Sequence, residues 1–115
     1  MAVYSRRQFS VGVAGVSGGQ TWVPLDVKAN PFAVSFFIDR QSGGGDSTCR
    51  VEHTHKNVLV SSDVTAGEIF VHEDASAVST SADGNYAFPV RAVRINLTQG
   101  SGTTVFDFTV MQTGP

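Results

Sequence analysis

Between Phe88 and Gln112 the chain alternates apolar and polar residues on both sides of a glycine-rich tetrapeptide. Val93, Ile95 and Leu97 fall on one side of a pleat, with Arg94, Asn96 and Thr98 on the other. After Gln99-Gly100-Ser101-Gly102, the residues Phe106, Phe108 and Val110 share a face opposite Asp107 and Thr109. A period of two is the strand repeat, and two such runs around a short Gly-rich link predict a β-hairpin. The same repeat predicts a central strand over Phe32–Arg40, with Phe32, Val34, Phe36 and Ile38 on one face and Phe37 an apolar exception opposite. Ser47–His55 alternates again, setting Cys49, Val51, His53 and His55 against Thr48, Arg50, Glu52 and Thr54.

The remaining segments are shorter. Thr21–Val27 contains Pro24, which cannot donate to a ladder, so it predicts an edge strand or corner. Asn57–Val60 extends the preceding strand or begins another, Glu68–His72 is a strand, and Val78 anchors a short one. Gln41–Asp46 (QSGGGD) reads as a loop and Asp83-Gly84-Asn85 as a turn. No window carries the i, i+3, i+4, i+7 pattern of an amphipathic helix. About eight strands, each with one apolar face, must bury that face against a second sheet. The expected fold is all-β: a single-domain, two-sheet β-sandwich, jelly-roll or Ig-like. Residues 1–19 form an extended N-terminal arm or first strand, and residues 20–115 the sandwich.

Composition agrees with this class. Seventeen Val and ten Thr stand against three Leu, the usage of pleated surfaces rather than helices. At 115 residues there is length for one core without disulfide or metal staples. Net charge is −2 with two lysines, Lys28 and Lys56, so no basic stripe is present to neutralise a phosphate backbone. No apolar run approaches the length of a membrane span. Cys49 is the sole cysteine and, in step with Val51, reads as a small buried hydrophobe. Ser5-Arg6-Arg7-Gln8-Phe9 resembles the start of a twin-arginine export signal, but the apolar run after it ends at Ser17-Gly18-Gly19 and no A-x-A site follows. A small-residue strand or arm is the better reading.

Candidate chemistry is sparse. His53-Thr54-His55 places two imidazoles on one face of a strand, and His72 is a third potential metal ligand, though the Glu that a cupin-like site needs a few residues on is absent. Burial and local hydrogen bonding at the rim of the sandwich is the simpler account of these histidines. Glu73 and Asp74 are adjacent and do not form a facing carboxylate pair. Gly15-Val16-Ser17-Gly18-Gly19 matches the letters G-x-S-x-G, but no helical pattern follows it, so Ser17 does not read as a nucleophile elbow. The sequon Asn96-Leu97-Thr98 lies mid-strand. Trp22 and Tyr86 are candidates for a glycan-contacting platform, flanked by the loops 41–46 and 73–85.

The stretches Ala82–Leu97 and Gly102–Gln112 resemble the closing strands of small virion proteins of tailed bacteriophages, whose ending is of the form DGNY…PVRAIRLNV…SGTGTVTLTVLQ. Cys49–Thr54 resembles the YTVQHT-like strand that precedes it in that family. The resemblance implies a structural virion component, a capsid decoration (cement) protein bound outside the major shell. It implies no enzyme activity, no catalytic residues and no cofactor. The expected partners are the major capsid protein and copies of the chain itself, with no nucleic acid or membrane contact. A receptor- or glycan-binding module at the collar or tail is the alternative. In the decoration reading the arm is a strap reaching at most about 60 Å, anchored on the shell by Tyr4, Arg6, Arg7 and Phe9; pairing within its own sheet is the competing arrangement.

Overall fold

The computed structural model describes residues 3–12, 18–29, 31–42, 47–61, 63–99 and 103–113. Nine strands are present among them: β1 (Val3–Gly12), β2 (Gly18–Gly19), β3 (Val23–Pro24), β4 (Ala33–Ser42), β5 (Thr48–Thr54), β6 (Ile69–Val71), β7 (Ser81–Tyr86), β8 (Ala92–Gln99) and β9 (Thr103–Thr113). Two single 3₁₀ turns, Ala66–Glu68 and Glu73–Ala75, flank β6. One sheet has the order β1-β9-β4-β7; the other runs β2-β8-β5-β6, with β3 also on β8. All pairings are antiparallel. β2 and β3 are two pieces of one broken strand along β8, with further bonds to β8 and the residue before it from Gln20 N to Ile95 O at 2.9 Å, between the pieces, and from Leu25 N to Arg91 O at 2.8 Å, after the second. Pro24 explains the weak ladder there, as the sequence predicted for this segment.

The topology is a rolled ribbon. β1 pairs β9, β2 and β3 pair β8, β4 pairs β7 and β5 pairs β6, so the two halves of the chain run beside each other as one long hairpin. Rolling that ribbon adds the pairs β4–β9 and β5–β8. This is the jelly roll, and it decides between the two sandwich types left open by the sequence. It is an all-β sandwich of two antiparallel sheets.

The ribbon overturns the C-terminal hairpin. β8 and β9 do not pair; they lie in opposite sheets. Their apolar faces are nonetheless the predicted ones. Val93, Ile95 and Leu97 enter the core from one sheet, and Phe106, Phe108 and Val110 from the other. Alternation reports which side of a strand is buried, and a hairpin and a sheet-to-sheet crossover share that signature. Val23, Val34, Phe36, Ile38, Cys49, Val51, Ala75, Val78, Tyr86 and Val90 complete the core. Each fully buried large side chain contributes roughly 1.5–3 kcal/mol of transfer free energy. Phe37, the predicted exception, faces solvent at 46 % exposure.

A buried amide closes one end of the core. Gln112, fully buried, accepts from Asp26 N at 2.7 Å and donates to Asp26 O at 2.8 Å, pinning the β3–β4 connection to the last strand. Three further expectations change. Asn57–Val60 is a turn, not a strand. Val78 forms an isolated bridge to Cys49. Asp83-Gly84-Asn85, predicted as a turn, runs straight through β7, opposite Phe37, Phe36 and Ser35.

Gly84 shows why. A Cβ at this position would stand 2.6 Å from Cζ of Phe36 and 3.2 Å from Cε1 of His72. The missing side chain makes room for the Phe36 ring, so a residue type typical of turns is fixed in a strand by its neighbour. Gly84→Ala is therefore expected to cost about 1–3 kcal/mol through overpacking. Urea denaturation should show a lower midpoint at unchanged slope, with partial recovery in a Phe36→Leu background. A neutral or stabilising Gly84→Ala would refute this packing account.

Candidate functional site

Residues 3–12 pair with β9 along its length, Tyr4 opposite Met111, Arg6 opposite Thr109, Arg7 opposite Phe108 and Phe9 opposite Phe106. Within this chain they are the first strand of the sandwich, the own-sheet pairing that was the second of the two arrangements expected for this segment. Pairing with an eleven-residue strand satisfies backbone groups that a free arm would leave to solvent. Residues 13–17 and the Gly43–Gly45 loop lie outside the described residues.

Two clusters on the sandwich carry most of the unusual chemistry. The first gathers all three histidines of the chain where the edge strands β6 and β7 of opposite sheets approach. His53, the last residue but one of β5, is buried, its Nδ1 2.9 Å from the Tyr86 hydroxyl. Its ring stacks on Phe70 at 5.9 Å between centroids and meets Tyr86, Phe88 and His55 edge-on at 4.9, 6.0 and 5.8 Å. His72 follows β6 and bridges to the other sheet. Its Nδ1 accepts the Asp74 amide N–H at 3.2 Å, which leaves Nε2 to donate to the Asn85 carbonyl in β7 at 2.8 Å. Burial, and then the neighbouring His55 and His72, push the pKa of His53 down from 6.5 to about 4. Burial likewise raises the Tyr86 phenol above its ordinary range. A cleft of about 400 Å³ opens beside these groups, lined by His53, His72, Glu73, Asp74, Tyr86 and Phe88 among others.

The second cluster covers the outer face of the β5–β8 sheet. Glu52, 1 % exposed, accepts from Arg94 Nε at 2.8 Å, from Arg50 Nε at 2.7 Å and from Asn96 Nδ2 at 2.9 Å. Burial alone would raise the Glu52 pKa, but the hydrogen bonds from Arg94, Asn96 and Arg50 outweigh it and hold it below the usual carboxylate value. The Arg94 guanidinium also lies 4.4 Å over the Trp22 ring. Gly19 lies beneath it, and a Cβ there would displace that guanidinium. Next to this network the β5–β6 connection raises a short turn. The Asn57 side chain accepts from Leu59 N at 3.1 Å, and the Asn57 carbonyl accepts from Val60 N and Ser61 N at 3.1 and 3.2 Å. Lys56 Nζ ties the base of the loop to Asp63 O at 2.6 Å and approaches the Glu68 carboxylate at 3.5 Å. On this braced turn Leu59 and Val60 stand 79 % and 82 % exposed. Leu59 borders a hollow of about 540 Å³ backed by Trp22 and Arg94.

No protein-family model and no curated protein matches this chain. Among solved structures it is similar to a protein of Bacillus endospore appendages, which are described as disulfide-linked pili. The identity is 17 %, the TM-score 0.40, and the match covers 99 % of this chain and 89 % of that one. At that distance the likeness carries no functional argument. Cys49 of this chain is fully buried, and burial pushes its thiol up to about 12.

The candidates named from the sequence are thus separated by the fold. Trp22 is 9 % exposed under Arg94, and Tyr86 is 1 % exposed in the core, so the two do not form a glycan platform. His53, His55 and His72 do come together, but through hydrogen bonds and ring contacts. Among the described residues no group of three or more His, Cys, Asp or Glu is placed to hold a metal ion. Asn96 of the sequon is engaged by Glu52. Among the described residues no helix is long and apolar enough to cross a membrane. Leu59, Val60, Phe70 and Phe88 were missed. The Asn57…Ser61-Ser62-Asp63 bracket around Leu59-Val60 was a legible turn signal, but the alternation of the preceding strand masked it.

Proposed function

We propose that this chain is a structural protein of a tailed-phage virion, a capsid decoration (cement) protein that acts by contact with the outer shell and with copies of itself. The observation that carries the contact reading is the braced turn presenting Leu59 and Val60. Adjacent large apolar side chains held in solvent by a pre-formed loop cost little ordering entropy on docking, which is what an interface anchor requires. The jelly roll, a fold shared by many capsid and lectin domains, is compatible with the same role as a matter of fold-level analogy. In this reading the protein is not an enzyme and needs no cofactor.

Quantitative mass spectrometry of purified virions, against the major capsid protein, tests the assignment. Copy numbers comparable to the shell protein are expected. A few copies per particle would move the chain to the collar or tail, and absence would overturn the virion reading. The double variant Leu59→Ser/Val60→Ser tests the anchor. Its unfolding midpoint should stay close to that of the parent, because both side chains are exposed, while its retention on particles in a co-sedimentation assay should fall at least tenfold, the equivalent of about 1.4 kcal/mol.

A further inference from the structure

We propose that the cleft between β6 and β7 is a binding site for an organic cation, a lysine or arginine side chain or a quaternary ammonium, held against the Phe88 ring by the carboxylates of Glu73 and Asp74. Phe88 is 52 % exposed, yet its ring is held edge-on by Tyr86 at 5.8 Å and His53 at 6.0 Å. An aromatic face fixed in this way at the wall of a cleft of about 400 Å³ is a pre-formed surface for a cation.

The charge of the walls points the same way. Among the described residues no lysine or arginine lines the cleft. His53 is buried and bonded to the Tyr86 hydroxyl, and both ring nitrogens of His72 are engaged, Nδ1 by the Asp74 amide and Nε2 by the Asn85 carbonyl. Glu73 and Asp74 are the carboxylates among the described lining residues, both on the exposed 3₁₀ turn at its rim. An anion meets repulsion here, and a neutral apolar group gains nothing from the carboxylates. A cation satisfies both the ring and the rim. The site is separate from the Leu59–Val60 turn, and its test does not depend on the virion reading.

Titration of the intact protein with acetyl-lysine methylamide, acetyl-arginine methylamide and tetramethylammonium, followed by NMR of the Phe88, His53 and His72 ring protons, decides the matter. Acetyl-norleucine methylamide is the neutral control. Saturable shifts at millimolar concentration with the cations and none with the control are expected. Phe88→Ala should weaken binding about fivefold or more, the value of roughly 1 kcal/mol for one cation–ring contact. Glu73→Gln/Asp74→Asn should weaken it and flatten its salt dependence, and both variants change exposed groups that leave the fold intact. Preference for the amino-acid probes would identify a partner's basic side chain, and preference for tetramethylammonium a free quaternary amine. Equal shifts with norleucine, or no saturable shift with any cation, would overturn the proposal.

Discussion

Acidification from pH 6.5 to about 4 is expected to remove roughly 3 kcal/mol of folding stability through His53 alone. In the unfolded chain this imidazole takes up a proton near 6.5, whereas in the fold it resists until about 4. Across that interval the unfolded state binds more protons, so stability rises with pH and falls as pH is lowered. The difference between the two values sets the size of the loss. The cause is physical: a charged ring would sit in the core wall, 8 % exposed, between Phe70, Tyr86 and Phe88. Glu52 acts in the same direction at lower pH. Its folded pKa is depressed, so the stability it contributes is present above its unfolded value and is lost as pH falls through the folded one. Urea denaturation from pH 7.5 down to about pH 3 checks both. His53→Gln keeps a polar group toward the Tyr86 hydroxyl and does not titrate, and it should flatten the curve between 6.5 and 4 while leaving the lower limb in place. An unchanged slope in that variant would show that the acid sensitivity lies elsewhere.

Glu52→Ala is expected to be the most damaging single substitution on the outer face of the sheets, at about 3 kcal/mol. One nearly inaccessible carboxylate receives three donors, and its removal leaves Arg94, at 16 % side-chain exposure, without its ion pair. Arg50, at 38 %, can rehydrate, which keeps the cost at the lower end of the range for broken buried pairs. Arg94 would also lose its fixed position over Trp22, so indole fluorescence should change with stability. A double-mutant cycle with Arg94→Ala should return a coupling well above the typical surface pair, which is worth about 0–1 kcal/mol. Coupling within that surface range would mean that the network is solvated despite its burial.

These two effects mark where the sequence was legible and where it was not. In His53 and Glu52 the alternation placed one residue on each side of β5, and that assignment stands: His53 faces inward and Glu52 outward. What it did not convey is that the outward face is also closed. Glu52 is covered because Arg50, two residues away, Arg94 and Asn96 from the paired strand β8, and Trp22 beneath Arg94 meet there. The histidine cluster follows the same rule. His53 and His55 were visible as neighbours, but the meeting of His72 with Asn85 required β6 and β7 to become facing edges of different sheets.

The sequence by itself determined the class, the positions of most strands and the inward face of each. Those follow from the pleat, which acts over two residues and leaves a local trace in Val93-Ile95-Leu97 or Phe106-Phe108-Val110. Strand partners, the jelly-roll order and the clustering of side chains were decided only in the tertiary structure. An unpaired strand edge accepts any strand of suitable register, and the choice among them depends on burying two faces at once. Burying those faces against each other sent β9 to β1 and β4 rather than to β8, and it fitted Phe36 over Gly84 where a turn was predicted.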